Sequence, residues 1–191
     1  AAPVYDRDGD NHYDIVSAFI KSMRGSDPDA TLYWLGRMIA GGENPEFIAR
    51  RIMIAASEDV GLADSGVLTV AVSAAQATAM LGMPEARIVL AHAALRVALA
   101  PKSNSAVCGI EAALADIAAN GPLPVPAHLR DAHYATASRL GHGDGYQYPH
   151  DHPHHHVRQA YLSEDRNLYR PGELGSEAGF GKWLDFLRAQ K

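Results

Sequence analysis

Apolar segments of helix length, each ended by glycine or proline, fill the first 121 residues of this 191-residue chain. Their apolar side chains recur every three or four positions, the spacing that places them on one face of an α-helix. No stretch in this span alternates apolar and polar residues as a half-buried strand would. The pattern therefore predicts an all-α fold with short connections, which are typical of antiparallel neighbouring helices.

The boundaries of these segments carry helix start and stop signals. Gly25 ends the first segment, and Ser26 can cap the second. Asn44, Pro45 and Glu46 combine a capping side chain, a preset φ and an acid that interacts favourably with the helix dipole. The predicted helices are 13–24, 27–40, 45–60, 66–81, 84–100 and 104–119.

The segment 66–81 is apolar almost all round, which predicts a central buried helix. Alanine supplies much of the 47% hydrophobic content, while aromatic residues make up only 7% of the chain. Because alanine favours helix and lets helices approach closely, we expect a compact helical bundle rather than a sheet.

The character of the chain changes at Pro122. The stretch PLPVPAHL is expected to be extended, because a residue that precedes proline is disfavoured in the helical region. A short helix at 131–140 follows, then the loop GHGDGYQYPHDHPHHH, rich in Gly, His, Tyr and Pro. An amphipathic helix is predicted at 177–189. The predicted divisions are an N-terminal tail at 1–12, a helical domain at 13–121 and an irregular C-terminal extension at 122–191.

The charge balance limits the classes of partner. Lys and Arg total 17 against 22 Asp and Glu, a formal net charge of −5. Salt-dependent nucleic-acid binding needs an excess of cations facing phosphates, so any DNA contact by this chain is expected to be local. The longest apolar stretches, 67–81 and 88–100, are interrupted by polar residues and fall short of a membrane span. We expect a soluble, cytoplasmic protein with no membrane partner.

The sequence excludes a phosphate loop and an internal disulfide. A phosphate loop requires G-x-x-x-x-G-K-[ST], but Gly181-Lys182 is followed by Trp183 where Ser or Thr must stand. Cys108 is the single cysteine, so it has no partner in the chain. Its apolar neighbours predict a buried, small hydrophobic side chain.

Five histidines lie within seven positions of the predicted loop, and we call residues 150–156 the histidine loop. The five are His150, His152, His154, His155 and His156. Imidazole binds Zn, Ni and Cu, but a proline-rich loop lacks the fixed geometry of a dedicated metal site, so we expect none. His150-Asp151 also matches the metal-binding pair of HD-type phosphohydrolases, which hold that pair on a helix. Pro149 and Pro153 disfavour a helix here. A metal-dependent phosphohydrolase stays open as one alternative function.

Two adjacent arginines, Arg50 and Arg51, precede the acidic pair Glu58-Asp59. The arginines either pair with these acids and fix the turn, or face a partner. On the 84–100 segment, Arg96 shares a helical face with Glu85 and His92, because the three residues recur at helical spacing. That face is either a polar seam at a subunit contact or the solvent side of the helix.

Several blocks resemble one family in the same order, between about Asp14 and Leu162. They are DPDATLYWLGRMIAGGENPEFIARRIMIAASEDVGLAD, MPEARIVLAHAALRVALAPKSN, VPAHLRDA and GYQYPHD. The chain is similar to the replication-associated recombination protein A group of AAA+ ATPases, relatives of clamp loaders that include the Werner-helicase-interacting protein. The candidate interaction residues, all inside the first two blocks, are Arg50, Arg51, Glu58, Asp59, Arg96 and Lys102.

In this family, a chain of this length corresponds to the helical, collar-like region after the ATPase core and lid. The resemblance implies a homotetramer assembled through this region. It also implies that the complete protein binds ATP and Mg and acts in replication, recombination and repair at stalled forks and DNA ends, in the nucleoid, with single-stranded-DNA-binding protein as a partner. Walker motifs, sensors and the arginine finger have no counterpart here, so we expect no catalytic, cofactor or metal residue in this chain. A DNA-binding module is the second alternative function.

Overall fold

The computed structural model describes residues 10–133 and 140–190. Within these ranges it contains seven α-helices and no strand, so the all-α prediction is confirmed. The helices are α1 (Asp10–Arg24), α2 (Pro28–Ala40), α3 (Pro45–Ala55), α4 (Gly66–Leu81), α5 (Ala86–Ala98), α6 (Ser105–Asn120) and α7 (Glu177–Ala189).

Each described helix overlaps a helix that the sequence predicts. A π-helical turn at Ala56–Val60 continues α3 to the point where the sequence predicts its end, and a 3-10 turn at Gly61–Ala63 follows. The predicted short helix at 131–140 lies mostly outside the described residues, and 131–133 are not helical.

The cap of α2 differs from the prediction. The backbone of Ser26 is left-handed, with a φ of 60°, and it follows the end of α1. Asp27 is the N-cap instead, because its extended backbone lets Oδ1 accept a hydrogen bond from Ala30 N at 2.9 Å. The predicted cap of α3 is confirmed, since Asn44 Oδ1 accepts from Glu46 N at 2.8 Å.

Replacing Asn44 with alanine is expected to lower the free energy of unfolding by about 1 kcal/mol, because an N-terminal amide of α3 loses its acceptor. Urea denaturation monitored by circular dichroism measures this change. The control is Asn44→Asp, which keeps the acceptor oxygen and adds a charge favourable at a helix N-terminus. Equal losses in the two variants would contradict the capping role.

Ala1–Val107 and Pro171–Gly181 form one compact unit. In it α5 contacts each of α1, α2, α3 and α4. Its core consists of fully buried apolar side chains, the largest being Phe19, Ile15, Met23, Met38, Ile48, Ile52 and Leu90. The helix at the centre of this unit is therefore α5.

The prediction that 66–81 is the central buried helix is wrong. The four buried residues of α4 are spaced by four, three and four positions and form a single stripe: Val67, Ala71, Ala74 and Thr78. This stripe lies on the side of α4 that packs against α3 and α5. Leu68, Val72 and Met80 are exposed, so an apolar face of α4 is open to solvent.

Cys108–Arg170 and Lys182–Lys191 form the second compact unit. An ion pair between Arg166 Nε and Asp116 Oδ2, at 2.8 Å, joins α6 to the segment that follows the histidine loop. The hydrogen bond from Arg166 lowers the pKa of Asp116. The two units do not coincide with the predicted division after residue 121. Within the described residues, no helix has the length and apolarity needed to cross a membrane.

Candidate functional site

The acidic pair Glu58-Asp59 lies in the π-helical turn after α3, which we call the acidic turn. This pair binds an arginine of α1. Arg24 Nε donates a hydrogen bond to Asp59 Oδ1 at 2.6 Å, and its Nη2 lies 3.3 Å from Glu58 Oε1. The hydrogen bond to Asp59 is the main reason that the pKa of Arg24 is raised above its ordinary value. Asp59 is only 6% exposed, so this contact anchors the end of α1 to the turn that follows α3.

The backbone of the acidic turn lies close to the backbone of the segment just before α6. Ser103 N donates to Asp59 O at 2.8 Å. Gly61 has a φ of +49°, and a Cβ there would lie 3.0 Å from Ser103 O. Glycine is therefore required where the π-helical turn ends, because a side chain would meet both a strained φ and a backbone oxygen.

Of the two alternatives for Arg50 and Arg51, the structure does not have the pairing with Glu58 or Asp59, since Arg24 takes that position. Arg50 is exposed, and its Nη1 lies 4.0 Å from an oxygen of Glu46 one turn earlier. The Nε of Arg51 is buried without a hydrogen-bond partner among the described residues.

Arg51 and Arg24 line a cleft of about 270 Å³ whose other walls are residues of α1. The remaining lining residues are Tyr13, Val16, Ser17, Ile20 and Lys21. This arrangement leaves the second alternative open, in which the arginines face a partner.

Lys102 is held by its own neighbourhood. Its Nζ donates to Ala98 O, the last residue of α5, at 2.9 Å and to Ala100 O, two residues beyond the helix, at 2.7 Å. It also donates to Ser26 Oγ at 2.9 Å. Burial lowers the pKa of Lys102. The ammonium group therefore acts on the last carbonyls of α5, as cations at helix C-termini commonly do.

Arg96 pairs with Asp64, which lies two residues before the start of α4. Glu85 and His92, which share its face in the sequence pattern, are exposed. Arg96 thus links α5 to the residues just before α4, while Glu85 and His92 on the same face of α5 are open to solvent.

The segment Pro171–Gly181, which we call the tail of the first unit, docks through a buried carboxylate. Glu177 is fully buried at the start of α7, and Ser105 Oγ donates a hydrogen bond to its Oε1. Ser103 Oγ lies 3.2 Å from Ser105 Oγ and extends this network. Ser176 N donates to Ala63 O at 2.9 Å. These bonds fix the tail against the turns that precede α4 and α6.

An apolar surface without cover lies on α6, a helix in which Ser105 is the one buried residue. Ile110, Leu114 and Ile117 recur at helical spacing and are 58%, 60% and 51% exposed. We call this set the α6 stripe. Around the turn between α4 and α5, Met80, Leu81, Met83 and Ile88 are also exposed. Contiguous apolar surfaces of this kind mark sites of protein association.

The prediction of a buried Cys108 is wrong, because the residue is exposed. Its apolar neighbours do not cover it, since most of α6 stands open to solvent. Local hydrophobicity predicts burial only where another element covers the helix.

The histidine loop lacks the helix that an HD-type phosphohydrolase needs. His150 and Asp151 lie in the single 3-10 turn Pro149–Asp151. In 10–133 and 140–190, no group of three or more His, Cys, Asp or Glu residues is arranged to hold a metal ion.

Comparison with known proteins places these features in a family. Residues 25–188 match the family model described as MgsA AAA+ ATPase C terminal, and residues 1–24 match the model described as AAA C-terminal domain. The chain is 54% identical to an uncharacterized AAA domain-containing protein of Mycobacterium tuberculosis and 47% identical to replication-associated recombination protein A of Bacillus subtilis. These alignments cover 99% and 98% of the chain, but only 42% and 45% of the two relatives. It is also 41% identical, over 84% of its length, to the ATPase WRNIP1 of Dictyostelium discoideum, of which 18% is covered.

Proposed function

The chain belongs to the replication-associated recombination protein A family of AAA+ ATPases and corresponds to its C-terminal region, and on this premise we propose that it is the oligomerisation collar of such an ATPase. In this role it assembles copies of the protein into a homotetramer and holds their ATPase cores at a fixed spacing. The collar itself has no catalytic activity. ATP and Mg bind in the part of the protein that this chain does not span.

The observation that carries the proposal is the α6 stripe. Three large aliphatic side chains, each more than half exposed, lie along one side of a 16-residue helix. Leaving them in water forgoes about 25 cal/mol for each Å² of apolar surface that a partner would cover. Three further copies of the chain offer the same stripe, and packing of the four stripes around one shared axis closes a symmetric tetramer.

The cellular role follows from the family. Two of the relatives carry names that refer to replication-associated recombination or to an ATPase. We therefore propose that the complete protein acts in the cytoplasm, at the nucleoid, on forked DNA and together with single-stranded-DNA-binding protein. With a net charge of −5, this chain contributes assembly rather than the main DNA contact.

The variant Leu114→Glu tests the self-association of this chain. We expect the 191-residue chain to form a tetramer, and we expect Leu114→Glu to dissociate it to monomers, because each interface would bury an unpaired carboxylate. Size-exclusion chromatography with multi-angle light scattering measures the mass. The matched control is Ala115→Glu, which adds the same side chain at the next position, about 100° away around the helix and off the stripe.

Each outcome of this experiment decides one point. A wild-type chain that stays monomeric at high micromolar concentration contradicts the collar role. Dissociation by both variants to the same extent contradicts the assignment of the stripe. ATP turnover by the purified chain, or metal-dependent phosphatase activity that His150→Ala removes, would contradict the absence of catalysis.

A further inference from the structure

The histidine loop separates into two sets of rings. His150 and His155 face each other, with 4.7 Å between their ring centroids. His152, His154 and His156 instead line a cavity of about 430 Å³ within the second unit. Its other lining residues are Gln147, Pro153, Val157, Arg158 and Gln190.

An unusual backbone holds the histidines of the cavity in place. His154 and His155 have φ values of 58° and 51°, in the left-handed region that residues other than glycine rarely adopt. His155 N donates to His152 O at 3.0 Å and closes the turn. The ring of His154 meets Phe186 edge-on at 5.1 Å, and Phe186 stacks on Trp183 of the same helix. Sparsely populated backbone conformations of this kind cluster at ligand sites.

Hydrogen bonds of side-chain amides hold two further residues that line the cavity, Gln147 and Gln190. Gln159 Nε2 donates to Gln147 O at 2.8 Å, and Gln147 N donates to Gln159 Oε1 at 3.2 Å. Gln190 Nε2 donates to Phe186 O at 3.0 Å, which fixes the end of α7 at the cavity. These hydrogen bonds fix Gln147 and Gln190 where they line the cavity.

The charges that line the cavity are of one sign. Arg158 is permanently cationic, and the three imidazole rings supply N–H donors and no negative charge. The segments on either side contribute the uncharged Gln147 and Gln190. Among the described residues that line the cavity, none is Asp or Glu.

We propose that this cavity binds the phosphoryl group of a small phosphomonoester. A guanidinium fork and imidazole N–H groups are donors suited to phosphate oxygens. The cavity lies within the size range of about 300–1,000 Å³ that is common for small-molecule sites. Pro153 and Val157 supply an apolar wall for the organic part of the ligand. A metal cation fits less well, because Arg158 repels it.

Isothermal titration calorimetry of the 191-residue chain tests the site with inorganic phosphate and phenyl phosphate. At about pH 6 we expect one ligand per chain, and phenyl phosphate about tenfold tighter than phosphate, since its ring covers apolar wall.

Variants assign the binding to this cavity. Arg158→Gln is expected to weaken phosphate binding at least about tenfold, because the permanent charge and the guanidinium fork are lost. Arg158→Lys keeps the charge without the guanidinium fork, so its phosphate affinity is expected to lie between that of the wild-type chain and that of Arg158→Gln. His133→Gln is the control, since His133 is exposed outside the cavity and pairs with Asp131.

Thermal melting checks that each variant is folded. If Arg158→Gln is unfolded, His156→Gln replaces it with the same expected loss. No heat with either ligand, or equal affinity in the Arg158 and His133 variants, overturns the proposal. Equal affinity for phosphate and phenyl phosphate overturns the assignment of an organic part. Stoichiometric zinc that phosphate does not displace overturns the choice of ligand.

Discussion

Replacing Gly175 with alanine is expected to lower the melting temperature by about 10 °C, which corresponds to about 3 kcal/mol for a chain of this size. Gly175 has a φ of +58°, and a Cβ there would overlap Ala63 O. The same Cβ would lie 2.9 Å from the Ala63 carbonyl carbon and 3.0 Å from Pro101 Cγ. Backbone atoms cannot rotate away, so the tail must detach from the turn before α4.

Detachment has a second cost, because the neighbouring contacts depend on the same backbone position. Ser176 loses its hydrogen bond to Ala63 O, and the carboxylate of Glu177 is drawn away from Ser105. Differential scanning calorimetry measures the change. The matched control is Gly179→Ala in α7, where a Cβ meets no atom within 4 Å. That variant is expected to be neutral or more stable by up to about 1 kcal/mol, since alanine favours helix over glycine. Similar melting of the two variants would contradict the docking of the tail.

The helices could be predicted because their signals are local. Asn44-Pro45-Glu46 is a helix start in any context, and Gly82 is a helix end wherever the apolar spacing stops. The identity of the central helix could not be predicted in this way. The α4 and α5 segments are both apolar, and which of them contacts four neighbours depends on the connections of the whole bundle. The prediction therefore named α4 where the structure has α5.

The partner of the acidic turn was missed for a related reason. Arg24 lies 34 and 35 residues from Glu58 and Asp59, while Arg50 and Arg51 lie within nine. Sequence distance favours the nearer arginines, but the ion pairs with the turn are made by Arg24, which the fold of the bundle brings to it. The exposed α6 stripe was missed as well, because an apolar helix has the same sequence pattern whether its own chain or a second copy covers it. The left-handed pair His154-His155 carries no sequence signal, since neither residue is glycine.

Removing the arginine that binds the acidic turn is expected to destabilise the first unit. The variant Arg24→Ala leaves the carboxylate of Asp59 buried without its cation. Asp59 Oδ2 is already buried and has no hydrogen-bond partner among the described residues, so Arg24 is the main compensation for this charge. Breaking a fully buried pair costs about 3–5 kcal/mol. Because the Arg24 side chain is 46% exposed and water screens part of the interaction, we expect about 2 kcal/mol.

A double-mutant cycle separates the ion pair from a general loss of packing. Asp59→Asn removes the charge that needs compensation, so Arg24→Ala in that background is expected to cost less, with a coupling energy of about 1 kcal/mol or more. Arg50→Ala is the matched control, since Arg50 is exposed and its 4.0 Å contact with Glu46 is worth at most about 0.5 kcal/mol. Urea denaturation gives each free energy of unfolding. If Arg24→Ala unfolds with the same midpoint as Arg50→Ala, or if the two changes add without coupling, then the turn after α3 does not depend on this pair.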